Sequence, residues 1–137
     1  MKKVIGYFLL VMALANISSN CKKSKVDPHT PPDVALKTGG AYVSGDKTVN
    51  KKDSVLVGIT ATKTEDDLKS YNVTPYYDGA TTGTSFFDYK MNDDEKQGYS
   101  KDLYIVARNQ AGTEKWVFSI VDRDGNITQK TIILTVN

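Results

Sequence analysis

The segment that begins at Asp122 has the spacing that most resembles a metal-binding turn in the sequence. Asp122, Asp124 and Asn126 place hard oxygen atoms around Gly125, and closely spaced oxygens on a tight turn are suited to calcium. A complete EF-hand loop also needs further ligands and a bidentate glutamate about twelve residues from its start, where this chain has Ile133. We therefore interpret the segment as a hairpin turn, with a calcium site as the alternative.

Side chains suited to catalysis are scarce in the rest of the chain. The single histidine, His29, lies among prolines, so no second imidazole is present to activate a serine or threonine. The sequence has no Gly-x-Ser-x-Gly nucleophile elbow. The candidate pairs of carboxylates lie in turns, where they would lack the defined separation of a cleft. We expect no enzymatic activity and no cofactor; a small hydrolase is the less favoured alternative.

Aromatic residues cluster in the middle of the chain and include two adjacent pairs, Tyr76 with Tyr77 and Phe86 with Phe87. Neighbouring side chains of a regular strand point to opposite faces, so both members of a pair cannot face the core. An exposed tyrosine or phenylalanine offers rigid contact area to a protein and a stacking surface to a sugar. These four residues are the candidate ligand-binding residues, and packing in the core or along an edge is the alternative.

The amino-terminal segment has the pattern of an export signal. Lys2 and Lys3 precede an apolar run, 4–15, of about twelve residues, which is shorter than a membrane-spanning helix. Two cleavage sites remain open. Cleavage after Ala15 follows the small-x-small pattern and leaves a free thiol at Cys21, whereas cleavage before Cys21 makes that cysteine the first mature residue.

Residues 18–21, SSNC, resemble the lipobox of bacterial lipoproteins in their small residues and their cysteine. They depart from it at Ser18, where leucine is usual, and at Asn20, where glycine, alanine or serine is usual. The resemblance implies a signal peptide over 1–20, a lipid on Cys21 and the membrane as a partner through that lipid. The expected location is the cell envelope, at the outer membrane. A free thiol would be chemically awkward in an oxidising compartment.

Composition indicates one folded domain of modest size. The 137 residues are 39% hydrophobic and 25% charged, with a formal net charge of +2, which is unlike a disordered chain. One cysteine and one histidine exclude a disulfide scaffold and the usual zinc sites. Removal of the signal also removes Lys2 and Lys3, so the mature chain has no basic excess to bind nucleic acid.

The organisation beyond the signal is a spacer followed by one all-β domain. Residues 21–33 hold the lipidated cysteine and a spacer, which contains Pro28, Pro31 and Pro32 and no apolar periodicity. Residues 34–137 alternate between period-two apolar runs and turn clusters. The strongest predicted strands are 54–62, 114–122 and 128–136, with a hairpin through Asp124 and Gly125 between the last two. Weaker runs predict strands at 34–36, 70–77, 84–89 and 103–109.

About seven short strands in about 100 residues are typical of an immunoglobulin-like antiparallel β-sandwich. Residues 115–126, KWVFSIVDRDGN, followed by 131–136, TIILTV, resemble the final hairpin of bacterial Ig-like and PKD-like modules. The part from Pro31 to the strand at 55–61 is similar to short single-domain Ig-like lipoproteins of Gram-negative bacteria. The Cys–Trp–Cys pattern of antibody domains is absent, so the resemblance assigns no role to Trp116.

The resemblance covers most of residues 31–137, and its motifs are structural. It implies an Ig-like sandwich that acts as a non-catalytic binding or structural module at the cell envelope, with a protein or a glycan as ligand. A calcium-dependent adhesion module that uses residues 122–126 is the alternative. The identity of the ligand and the oligomeric state stay open, because function on such folds resides in individual sites.

Overall fold

The computed structural model describes residues 29–137, and in this range it contains eight strands and one short 3₁₀ helix. The strands are β1 (Asp33–Leu36), β2 (Lys47–Val49), β3 (Ser54–Thr62), β4 (Leu68–Tyr77), β5 (Phe87–Lys90), β6 (Gly98–Val106), β7 (Gly112–Asp122) and β8 (Ile127–Val136); the helix is Asp93–Glu95. The predicted signal peptide, both cleavage sites and Cys21 lie outside the described residues. Over residues 29–137, no helix has the length and apolarity needed to span a membrane.

The strands form two sheets, one of three strands and one of five. The three-stranded sheet has the order β1-β3-β6, and the five-stranded sheet has the order β2-β8-β7-β4-β5. Every pairing is antiparallel except that of β2 with β8, which is parallel. This is an Ig-like β-sandwich, as the sequence predicts.

The core lies between the sheets and is built from the positions that alternation assigns to it. The apolar residues that alternate along one face of the three strongest predicted strands are all buried: Val55, Val57, Ile59 and Ala61 of β3, Trp116, Phe118 and Ile120 of β7, and Ile132, Leu134 and Val136 of β8. The turn at Asp124 and Gly125 joins β7 to β8, with Gly125 at a φ of +94°. The predicted final hairpin is therefore confirmed.

Some predicted strands differ from the structure in number or bounds. β2 was not predicted, because it has three residues and only Val49 is buried. β5 begins at Phe87, not at residue 84, because the chain before it forms a bend. β6 begins at Gly98, well before the predicted residue 103, because pairing with β3 extends over a polar stretch that lacks apolar alternation.

The chain lies against the domain before β1 begins. The Thr64 hydroxyl donates to the carbonyl oxygens of Thr30 (3.1 Å) and Pro31 (3.0 Å), and the Thr128 hydroxyl donates to that of Pro32 (2.5 Å). These bonds hold the carboxyl-terminal end of the predicted spacer on the domain surface.

Candidate functional site

The outer face of the five-stranded sheet carries one of the four candidate aromatic residues. Cross-strand register places Tyr76 of β4, Lys115 of β7 and Ile133 of β8 in one row. The Lys115 ammonium lies 5.9 Å from the centre of the Tyr76 ring, a cation–π contact. Ile133 is 38% exposed. The row therefore combines a ring face, a cation and an aliphatic side chain at the surface.

A tight turn after β4 borders this row of side chains on one side. Asp78 and Gly79 have φ of +52° and +78°, a left-handed pair of the kind that type I′ hairpin turns require and that glycine adopts readily. The Ala80 N–H donates to the Tyr77 carbonyl at 2.9 Å and closes the turn. The result is a depression of about 330 Å³, here called the Tyr76 depression. It is lined by Tyr76, Gly79, Ala80, Thr113, Lys115 and Ile133.

Tyr77 lies on the opposite face of β4 and is 40% exposed. The Arg108 guanidinium lies 5.0 Å from its ring centre and donates to Asp78 at 2.5 Å. This hydrogen bond, with a second from the Thr113 backbone, lowers the pKa of the Asp78 carboxyl. Burial raises the pKa of the Tyr77 phenol, and the charge of Glu114 raises it further. Tyr77 and Arg108 thus cover one end of the sandwich.

Phe86 covers Trp116, which is buried beside a buried carboxylate. The two rings meet edge to face with centres 5.1 Å apart, and Phe86 remains 48% exposed. Glu114, which has no exposed surface, accepts from the Trp116 indole N–H at 3.0 Å and from the Arg108 backbone N–H at 2.8 Å. Glu114 is not among the candidate residues that the sequence predicts. The available signal was that Glu114 alternates with Trp116 and Phe118 along β7, which places all three side chains on the same face of the strand.

Phe87 belongs to a cluster of four rings between β5 and β6. Its centre lies 5.5 Å from that of Tyr71 and 6.2 Å from that of Tyr89, while Tyr99 lies 5.6 Å from Tyr89 and 5.8 Å from Tyr71. Burial raises the pKa of Tyr71, and burial together with the charges of Glu95 and Tyr89 raises that of Tyr99 to about 12. This edge cluster closes one side of the sandwich.

The four candidate residues therefore contact three different sets of neighbours. Tyr76 lines the depression on the outer face, Tyr77 and Phe86 cover the Arg108, Glu114 and Trp116 group, and Phe87 packs in the edge cluster. Adjacent aromatics separate as strand alternation predicts. Tyr76 lines a concave surface with polar groups beside it.

The candidate calcium residues make the hydrogen bonds of a hairpin turn. The buried Asp122 carboxylate accepts from the Asn126 backbone N–H at 2.8 Å and from its side-chain amide at 2.9 Å. Asp124 accepts from the Arg123 Nε at 2.9 Å. Over residues 29–137, no three His, Cys, Asp or Glu side chains are grouped so that they could hold a metal ion. The contacts of Asp122, Asp124 and Asn126 thus stabilise the turn.

No protein-family model matches the chain, and a search of the curated proteins finds no similar sequence. Among solved structures, a chitin binding domain from Burkholderia pseudomallei is similar with a TM-score of 0.51 and 10% identity, over 69% of this chain and 58% of that chain. The PKD domain of an M14-like peptidase from a Thermoplasmatales archaeon has a TM-score of 0.45 and 12% identity, over 77% of this chain and 92% of that chain.

A CARDB domain from Pyrococcus furiosus, solved with di-metal ions, has a TM-score of 0.46 and 12% identity, over 83% of this chain and all of that chain. At such low identities, a likeness to solved structures shows the fold alone. The strand order, the register and the buried alternation together identify the fold of this chain as an Ig-like, PKD-like β-sandwich.

Proposed function

We propose that this protein is an exported lipoprotein whose Ig-like domain binds a protein or a glycan at the cell envelope. In this account Cys21 carries the lipid, the segment after it holds the domain away from the membrane, and the Tyr76 depression contacts the ligand. The export signal and the SSNC pattern of the sequence support the first two parts. The binding role is non-catalytic.

The observation that carries the binding role is the composition of the Tyr76 depression. Its volume of about 330 Å³ is at the small end of ligand pockets, so it fits one sugar ring or one side chain of a protein. Tyr76 provides a ring for stacking, and Lys115 and Thr113 provide groups that form hydrogen bonds at its edge. Gly79 and Ala80 are small enough to leave the space open.

A glycan array and a pulldown from envelope extracts test this proposal with the purified full-length chain. We expect Tyr76→Ala to lose most of the binding, while Tyr104→Ala keeps it. Tyr104 is a matched control because it is 68% exposed and lies on β6, in the other sheet. Equal binding by wild type and Tyr76→Ala would contradict the assignment of this surface.

Membrane fractionation tests the anchor separately. We expect Cys21→Ala to release the protein from the membrane fraction or to block its lipid-dependent processing, because the variant has no thiol to acylate. Unchanged partitioning would refute lipidation at Cys21 and leave cleavage after Ala15 as the interpretation.

A further inference from the structure

A second concave surface lies at the other end of β4 and is lined mainly by basic residues. This surface, the basic concavity, has a volume of about 240 Å³. Its lining residues are Asp67, Leu68, Lys69, Lys90, Met91, Lys96 and Arg123. Leu68 and Met91 are 1% and 5% exposed and form an apolar floor, and four cationic side chains also line the concavity. An apolar floor strengthens the electrostatic attraction of a bound anion.

Three backbone hydrogen bonds converge on residues 67–69 and bring these side chains together. The Arg123 N–H donates to the Asp67 carbonyl at 2.8 Å, and the Leu68 N–H donates to the Lys96 carbonyl at 2.9 Å. The Met91 N–H, next to Lys90, donates to the Lys69 carbonyl at 3.0 Å. The four basic residues come from three separate parts of the sequence, with Lys90 and Lys96 in the same part, so the fold brings the three parts together.

A β-bulge places Lys69 at this surface. Leu68 pairs with Asp122 and Ser70 pairs with Val121, so Lys69 is an extra residue with no partner on β7. Bulges re-aim side chains and are common beside binding sites. Lys90, which belongs to the neighbouring strand β5, pairs with Ser70 of β4. The two lysines therefore flank the same point of the sheet.

Lys69 and Lys90 are the two lysines of the concavity that form no ion pair. The other charged groups around it are paired: Lys96 with Asp93, Arg123 with Asp66 and Asp124, and Asp67 with Lys63. The hydrogen bond from Lys63 lowers the pKa of Asp67. Across residues 29–137, neither Lys69 nor Lys90 forms an ion pair. Two lysines thus line the concave surface without an ion-pair partner.

We propose that the basic concavity binds one phosphate group, with Lys69 and Lys90 as the charged donors. Lysine ammonium groups are point charges that bind phosphate, and two of them match the charge of a phosphate dianion. The phosphate is either free or part of a phospholipid headgroup. Lys69 and Tyr76 are seven residues apart on β4, roughly 23 Å at 3.3 Å per residue, so this site does not depend on the Tyr76 depression.

Amide chemical shifts of the full-length chain, titrated with sodium phosphate against sodium chloride at equal ionic strength, test the proposal. We expect saturable shifts at residues 68–69, 90–91 and 123 with phosphate alone. The double variant Lys69→Gln, Lys90→Gln should bind at least about tenfold more weakly. The double variant Lys47→Gln, Lys51→Gln removes two exposed lysines elsewhere and should behave as wild type.

Vesicles identify the source of the phosphate. In the Cys21→Ala background, which removes the predicted lipid, we compare vesicles with and without phosphatidylglycerol. Binding to the anionic vesicles that is lost in the Lys69→Gln, Lys90→Gln variant assigns a headgroup, and binding of free phosphate alone assigns a soluble ligand. The proposal is overturned if the double variant responds as wild type to both probes, or if wild type responds to neither.

Discussion

The two faces of the five-stranded sheet differ in whether their polar side chains are bonded within the fold or are available to a ligand. On the inner face of β7, Glu114 is fully buried and accepts hydrogen bonds from Trp116 and Arg108. On the outer face, the next residue, Lys115, contacts the ring of Tyr76 beside an open depression. One step along the strand therefore separates a group committed to the fold from a group available to a ligand.

This difference predicts that stability and binding can be separated by mutation. A buried polar group that loses its partner costs free energy of folding, whereas an exposed side chain away from such features costs little. Substitutions on the inner face should therefore change stability first. Substitutions in the Tyr76 depression should change binding and leave the fold intact.

Replacement of Glu114 should give the largest effect. Glu114→Ala removes the acceptor of the Trp116 indole N–H and of the Arg108 backbone N–H, both in a dry environment, and should cost about 3 kcal/mol or more of unfolding free energy. Lys115→Ala, the matched control on the outer face, should change it by less than about 0.5 kcal/mol. Urea denaturation measures both. Equal losses for the two variants would mean that the faces do not differ.

The edge cluster should make the protein sensitive to alkali. The pKa of Tyr99 is about 12 in the folded protein, above its ordinary value of 10.0, so the folded state holds the phenolic proton more tightly. Its contribution to stability is present below pH 10 and is lost as the pH rises toward 12. We expect the thermal midpoint to fall over this range, and to fall less in Tyr99→Phe. Tyr104→Phe should follow wild type; a wild-type slope in Tyr99→Phe would exclude this cause.

Replacement of the exposed Asp78 should have the smallest effect, and this effect should fade at acid pH. Arg108 holds the pKa of Asp78 below its usual 3.8, so this carboxylate adds stability above that pH and loses it as the pH falls through the lowered pKa. Asp78→Asn should lower the thermal midpoint slightly at neutral pH, and its difference from wild type should shrink as the pH falls below 3.8. Asp88→Asn, an exposed aspartate on β5, is the control. A difference that does not shrink as the pH is lowered would show that charge is not the cause.

Apolar alternation made the long strands predictable and left the short ones hidden. The bounds of β3 agree with the prediction at both ends, because each inward position is an aliphatic residue. β2 depends on a parallel pairing with β8 that no local pattern indicates. The first half of β6 is polar and is a strand because β3 supplies its hydrogen bonds. Pairing with a distant strand, and not local β-propensity, determines whether such segments form strands.

Side-chain roles were harder to predict than strands. The sequence indicates that Tyr76 and Tyr77 point to opposite faces, but not which of them lines a depression. That outcome depends on the left-handed turn at Asp78 and Gly79, which brings Ala80 beside Tyr76. The burial of Glu114 contradicts the usual exposure of glutamate and needs Trp116 and Arg108 as partners. Contacts between distant segments create these sites.

The central claim is that the outer face of the five-stranded sheet binds the ligand. The most direct test is to measure both binding and stability in Tyr76→Ala and in Phe87→Ala. We expect Tyr76→Ala to keep the wild-type thermal midpoint and lose binding to whichever partner the array or pulldown identifies. Phe87→Ala should lower the midpoint, because the ring packs on Tyr71 and Tyr89, and should keep binding while folded. The opposite pattern, with binding lost in Phe87→Ala and kept in Tyr76→Ala, would contradict the account.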